Sequence, residues 1–392
     1  AQGSSAHSLP QVLPSPLRTA FARAMAVPPR VAVCMLAIAT AITHDKQASS
    51  ANRAQESLKF VDKSHHSAVK ATRDPMLISD CTSLPSCPVV SPDGKHFLTT
   101  ESGRPLELWS MRLGRVVRQG PLADFAAFSP DSRSVVAIRK EAMFSDIANE
   151  RTYGTVWDIA TMKELHTLKL SDDSWRHEVE SVRFSPSGKH ILTVMESSTV
   201  LVWDLATGEV QHKLSGADFQ YWFKSAEFSP NGQQVVTASE YEPSPDVWDL
   251  TTGESRGLQV PEFQSDGWDP YGMNSAKFSA DGTRVVGLSE EGTTAFVWDV
   301  ATGEVQHVLQ SVHAHTARVR SAELSPNGTQ VVTASDDQTA KVWNLATGDV
   351  RTLAGRTDVV RSAMFSQYGD QVFTASDDNT LKVWRNPYWD VE

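Results

Sequence analysis

TASDDQTAKVWNLATGD, residues 333–349, and TASDDNTLKVW, residues 374–384, are two copies of one pattern. A β-type run leads into an Asp-rich turn, a second short run ends on tryptophan, and in the first copy a Leu-Ala-Thr-Gly turn follows. Moving outward, tryptophan ends a comparable run at Trp109, Trp157, Trp203, Trp248, Trp298, Trp343 and Trp384, at intervals of 48, 46, 45, 50, 45 and 41 residues. A second marker keeps step with the first. It begins at Ser91, Ser129, Ser185, Ser229, Ser279, Ser325 and Ser366 and reads Ser-Pro-x-Gly or a close variant. Two markers in phase over seven units define an internal repeat with the period of a four-stranded β unit, roughly 40–45 residues.

Within a unit, runs such as VRSAELS and QVVTAS flank the Pro-Asn-Gly turn, TAKVW follows the Asp-rich turn, and a fourth run such as EVQHVLQ (304–310) follows Ala-Thr-Gly. Val, Thr and Trp favour strands, Pro presets the turn φ and Gly accepts positive φ. Four short antiparallel strands cannot bury both faces alone, so the units must stack around an axis. The fold class expected is all-β, a seven-bladed β-propeller of four-stranded antiparallel blades over residues 76–392. An N-terminal extension, residues 1–75, is expected to be mostly disordered.

These residues resemble the WD-repeat β-propeller family, most closely in units six and seven, with Trp-Asp also at Trp157, Trp203, Trp248 and Trp298. The resemblance implies a structural hydrogen-bond network joining a His before the first strand, a Ser or Thr in the second, an Asp in the next turn and the Trp of the third. Unit six carries all four, as His315, Ser335, Asp337 and Trp343. Unit seven carries Ser376, Asp378 and Trp384, with Arg356 in place of the His. Units one to five retain less, with Trp175, Phe219 and Asp269 at the His position of units three to five.

Alternate connections of an antiparallel blade emerge on the same side, so loops after strands b and d share one face. Those loops are irregular, whereas the Ser-Pro-x-Gly and Ala-Thr-Gly turns opposite are uniform, which makes the irregular face the candidate binding surface. It carries Trp175 and Arg176, Tyr221 and Trp222, Trp268 and Tyr271, and an insertion in unit two (139–153) with Phe144 and Arg151. Aromatics and Arg anchor interfaces because they bury large area at low entropy cost. The partner expected is a protein or peptide bound by a non-catalytic scaffold, itself monomeric or a subunit of a larger complex. A second reading, a secreted or periplasmic propeller binding a small ligand or glycan at the channel mouth, stays open, with a propeller hydrolase behind it. The tail after Trp384 is too short for a fourth strand, so residues 76–80, MLISD, are expected to close the ring.

Composition excludes several classes. The formal net charge of -11 argues against a phosphate-backbone binder. Three cysteines provide no disulfide framework and no paired C-x-x-C zinc site, so no metal or cofactor is expected. Phosphate-loop, H-E-x-x-H and G-x-S-x-G patterns are missing. Ala160, Ala206, Thr251 and Ala301 stand where Trp-Asp-x-Arg would carry Arg, which disfavours docking on one ubiquitin-ligase adaptor. Asn327-Gly-Thr329 matches a glycosylation acceptor and equally an ordinary turn. The apolar run from Val31 to Ile42 is too short to span a bilayer, and with Met25, Arg30 and Ala39-Thr40-Ala41 around it residues 25–41 also fit a targeting segment. Cytoplasmic and secreted locations both stay open, as does a Cys81–Cys87 bridge.

Overall fold

The computed structural model describes residues 89–389, apart from 101–103, 114, 146–149, 171–178, 196–198, 216–221, 241, 243, 260–271, 290–293, 311–314 and 379–380. Every regular element among them is a strand. Seven antiparallel sheets follow one another along the chain, six ordered a-b-c-d and the last a-b-c among the described residues, and form a seven-bladed β-propeller. Blade six shows the unit: Val319–Leu324, Gln330–Ser335, Ala340–Asn344 and Val350–Leu353. Blade seven has three strands among the described residues, Val360–Phe365, Gln371–Ser376 and Leu381–Arg385. The expected closure by residues 76–80 lies outside the described residues, as do the 25–41 segment and both Cys81 and Cys87.

Each blade interior is built from the two middle strands, whose apolar side chains meet the next blade. Leu192, Val194, Val200 and Val202 of blade three pack with Phe223, Ala226, Phe228, Val235 and Trp248 of blade four. Blade four in turn meets Phe278, Val285, Phe296 and Trp298 of blade five. Strands buried on both sides read as continuous apolar runs, so period-two alternation is weak here, and Gln330–Ser335 is buried throughout. Strand a leaves one edge without a sheet partner. Hydroxyls cover part of it: Ser225 Oγ accepts from Ala276 N at 3.2 Å and Ser321 Oγ from Ala363 N at 3.1 Å, each across a blade boundary.

The uniform face is stitched in the same manner. In the Ser-Pro-x-Gly turn the buried Ser hydroxyl donates to the following Asp or Asn, as Ser229 to Asn231 at 2.7 Å, and accepts Gln234 N–H at 2.9 Å. Asn327 fills the Asn231 role in blade six, accepting from Ser325 at 2.7 Å, which gives Asn327-Gly-Thr329 a turn-capping role. The Asp of each Trp-Asp pair is also a cap: Asp204 Oδ1 accepts the N–H groups of Ala206 and Thr207, both at 2.9 Å. Where blade five has Ala280 in place of Pro, Arg284 Nη1 reaches Gly328 O of blade six at 2.6 Å.

The insertion expected as a loop in blade two is instead a hairpin extension. Strands Ser134–Ser145 and Glu150–Asp158 continue pairing beyond a register shift, with Phe144 opposite Arg151. Its β-branched and aromatic residues can extend an existing ladder, and strand length is limited by pairing rather than by the repeat.

Candidate functional site

The Asp-rich turn of blade six is organised by a chain of hydrogen bonds running from strand c to the d–a loop. Trp343 Nε1 donates to Thr333 Oγ1 at 2.9 Å, the Thr333 hydroxyl meets His315 Nε2 at 2.8 Å, and His315 Nδ1 meets Asp337 Oδ2 at 2.8 Å. Thr316 N and Thr339 Oγ1 also donate to Asp337. The hydroxyl joining Trp to His is therefore Thr333 and not Ser335. Residues two apart on a strand share a face; Val331 is the one opposite Trp343 and Thr333 is opposite Lys341, and it is Thr333 that the Trp343 indole nitrogen reaches. Ser335, one step closer to the loop, donates to Ala317 O at 3.1 Å and accepts from Asp337 N.

Burial lowers the His315 pKa below its ordinary value and outweighs the pull of the Asp337 carboxylate. The ring is held neutral, donating Nδ1–H to Asp337 and accepting at Nε2. Asp337 is pushed upward by its own burial, but hydrogen bonds from Thr339 and His315 carry it below the usual carboxylate range. Every member faces another member, so the network fastens the turn.

Blade seven repeats the arrangement. Trp384 Nε1 donates to Thr374 Oγ1 at 2.8 Å, while Ser376 donates to Asp358 O and accepts from Asp378 N. Arg356 replaces the His with its side chain 1% exposed, donating to Thr374 O at 2.7 Å and lying 3.6 Å from Asp378. The same Trp–Thr bond holds blades one, three and four through Thr99, Thr193 and Thr237. The V-V-T-A-S run carried that signal in plain sight. Blade five has Gly287 at this position, and Trp298 donates to Gln259 O instead. A Cβ on Gly287 would stand 2.8 Å from Trp298 Cζ3 and 2.7 Å from Met273 Cε. Gly287→Thr, which restores the repeat pattern, is therefore expected to destabilise by about 1–3 kcal/mol through overpacking. Comparison of urea unfolding midpoints checks this.

On the irregular face, the first residue after strand b donates its N–H to the residue preceding strand a: Glu240 to Trp222 O at 2.8 Å, Asp336 to Arg318 O and Asp377 to Val359 O, both at 2.9 Å. Beside each bond lies an ion pair, Lys224–Glu240, Arg320–Asp336 and Arg361–Asp377. Trp222 is 46% exposed and lies on this rim. Trp175, Arg176, Tyr221, Trp268 and Tyr271 lie outside the described residues, and the side chains of Phe144 and Arg151 are likewise outside them.

Three stretches of the chain, residues 162–204, 306–344 and 348–385, match the family model described as WD domain, G-beta repeat. Those three stretches are WD repeats. WD repeats are generally protein-interaction scaffolds. Among curated proteins no relative matches the chain. The matched stretches include blades six and seven, where the WD-repeat network and the Trp–Thr bonds are most complete.

Asp246 opens strand c of blade four and is half-buried behind the same rim. Burial, assisted by the charge of Glu242, pushes its carboxyl from 3.8 up to about 6. A carboxyl raised on folding binds its proton more tightly in the native state, so its contribution to stability falls as pH rises from about 4 to about 6. Asp246→Asn is expected to raise stability by roughly 1–2 kcal/mol at about pH 7.5, with the full shift setting an upper bound of about 3. The gain should vanish at about pH 3, below the unfolded value of 3.8, where Asp246 is largely protonated in folded and unfolded chain alike. Urea midpoints at the two pH values decide it.

On the opposite face a groove of about 680 Å³ separates blades four and five, lined by Asp249, Arg256 and Asp299 among others. Its polar groups are engaged locally. Asp249 accepts from Thr251 N and Thr252 N, and Arg256 donates to Ala301 O at 2.9 Å and to Val300 O.

Proposed function

We propose that this WD-repeat chain is a non-catalytic platform that binds a protein or peptide partner through the face formed by its b–c and d–a loops, alone or as a subunit of a larger complex. The observation carrying this reading is Trp222. A large apolar side chain stands 46% exposed on the irregular rim, while its backbone is tied to Glu240. An indole left in water on a rigid support costs little entropy to dock, which is the property of an interface anchor. The carboxylates and histidine of the Asp-rich turn are consumed by the fold, which supports a platform over an enzyme.

Affinity capture from native extract tests the reading, with the wild-type chain and a Trp222→Ala variant as baits and thermal melts confirming that both are folded. The expected result is a partner retained by the wild type and lost from the folded variant. A partner retained equally by both would remove Trp222 from the interface, and an absence of captured protein from either would overturn the platform reading.

A further inference from the structure

The rim differs in charge from blade to blade. In blades six and seven the cation at the second position of strand a meets one carboxylate of the b–c loop, Arg320 with Asp336 at 2.7 Å and Arg361 with Asp377 at 2.9 Å. Blade four keeps the corresponding pair, Lys224 with Glu240 at 2.6 Å, but its loop adds Glu242 and the first residue of its strand c adds Asp246. Among the described residues no ion pair reaches either of these two carboxylates. One ammonium and three carboxylates thus belong to strand a and the b–c connection of blade four, the connection whose Glu240 N–H is held by the Trp222 carbonyl. The equivalents of Trp222 are Gly272 in blade five, Arg318 in blade six and Val359 in blade seven, so the aromatic and the acidic excess coincide on blade four among these blades.

We propose that the blade-four corner of the irregular face docks a basic peptide segment of the partner, with a Lys or Arg side chain lying against the Trp222 indole and facing the carboxylates of Glu240, Glu242 and Asp246. This deepens the platform reading and rests on it. The two attractions act on the same group. An indole face draws a cation through its quadrupole, and tryptophan does so best among the aromatics. Surrounding carboxylates add a favourable field for that cation and repel an acidic segment. A purely apolar segment would satisfy the indole and leave the charge excess uncompensated. Because Lys224 is engaged by Glu240, it offers little counter-attraction to an anion. The Asp246 carboxyl, pushed up to about 6 by burial and Glu242, would be relieved by an incoming cation.

The test uses the full chain and three labelled peptides of equal length, one Lys- and Arg-rich, one neutral and one Asp- and Glu-rich, with fluorescence anisotropy as readout. The basic peptide is expected to bind at least about tenfold more tightly than the neutral one, and to weaken with added salt. Trp222→Ala should lose roughly tenfold. The double variant Glu242→Gln with Asp246→Asn should lose about fivefold, at a melting temperature no lower than wild type. Because the chain as a whole is acidic, a matched control is needed: Glu209→Gln with Glu304→Gln changes charge equally on exposed residues beside the opposite face and should leave binding unchanged. Equal affinity for basic and neutral peptides overturns the proposal, as does loss of equal size in the control and corner variants. If Trp222→Ala abolishes partner capture while all three peptides bind alike, the platform reading stands and this proposal falls.

Discussion

Thr333→Val is expected to lower the unfolding free energy by about 2–4 kcal/mol, although the two side chains are nearly the same shape. The hydroxyl of Thr333 holds two buried groups at once, accepting from Trp343 Nε1 and meeting His315 Nε2. Valine leaves both without a partner in a site where the His315 side chain is 1% exposed, and each orphaned polar group costs about 1–3 kcal/mol. The loss should spread to the turn, because His315 also orients Asp337. Thr374→Val in blade seven is the comparison. There Trp384 is only partly buried and Arg356 reaches the Thr374 carbonyl, which valine retains, so the expected loss is about half as large. Urea midpoints measure both, and a change below about 0.5 kcal/mol for Thr333→Val would remove the network from the sources of stability. The network also has a pH signature. His315 and Asp337 both have folded pKa values below their ordinary ones. Each contributes stability that is present above its unfolded pKa and lost as pH falls, so acid should weaken wild type progressively from about pH 6.5 downward. Thr333→Val, with the His already loosened, should show a shallower fall.

The other large effect belongs to Gly272, where blade five enters its first strand. Its φ is +56°, and a Cβ there would stand 1.7 Å from the Glu240 carbonyl oxygen, a backbone atom. Gly272→Ala cannot be absorbed by a rotamer change, so either the blade-five entrance or the blade-four b–c loop must move. The expected cost is on the order of 3 kcal/mol or more. Gly253 separates the two contributions. Its φ is +76°, yet nothing lies within 4 Å of a Cβ built on it, so Gly253→Ala carries the conformational cost alone, about 1 kcal/mol. Thermal melts of the two variants should differ accordingly, and equal melting temperatures would show that the Gly272 contact relaxes. Since Glu240 also anchors Trp222, Gly272→Ala is further expected to weaken binding at the blade-four corner, measurable with the basic peptide.

The repeat count, the strand order and the turn residues were all legible in the chain, because each depends on local chemistry. Pro and Gly set the a–b turns, Asp or Asn caps the c–d turns, and tryptophan recurs at a fixed place in the third strand. The four-residue network was legible only as a pattern. Thr333 and Ser335 have the same functional group two residues apart, and their division of labour depends on which lies within reach of the indole nitrogen once strands b and c are paired. Blade two shows the same boundary: residues 139–153 read as a loop because they interrupt the period, whereas pairing past the register shift made them a hairpin.

The candidate site was less legible. The irregular face followed from alternation of connections, and Trp222 was among the residues it named. The charge pattern was not, since Lys224 and Glu240 are sixteen residues apart in sequence and become a pair only when strands a and b are set in register. By itself, then, the sequence determined a seven-unit β repeat, its turns and the side on which its variable loops emerge, because periodicity and turn geometry are short-range properties. Tertiary structure alone decided which hydroxyl joins Trp343 to His315, how Arg356 and Gln259 replace missing partners, and that Lys224 pairs with Glu240 beside an exposed indole, because those depend on distances between strands and blades that no local pattern encodes.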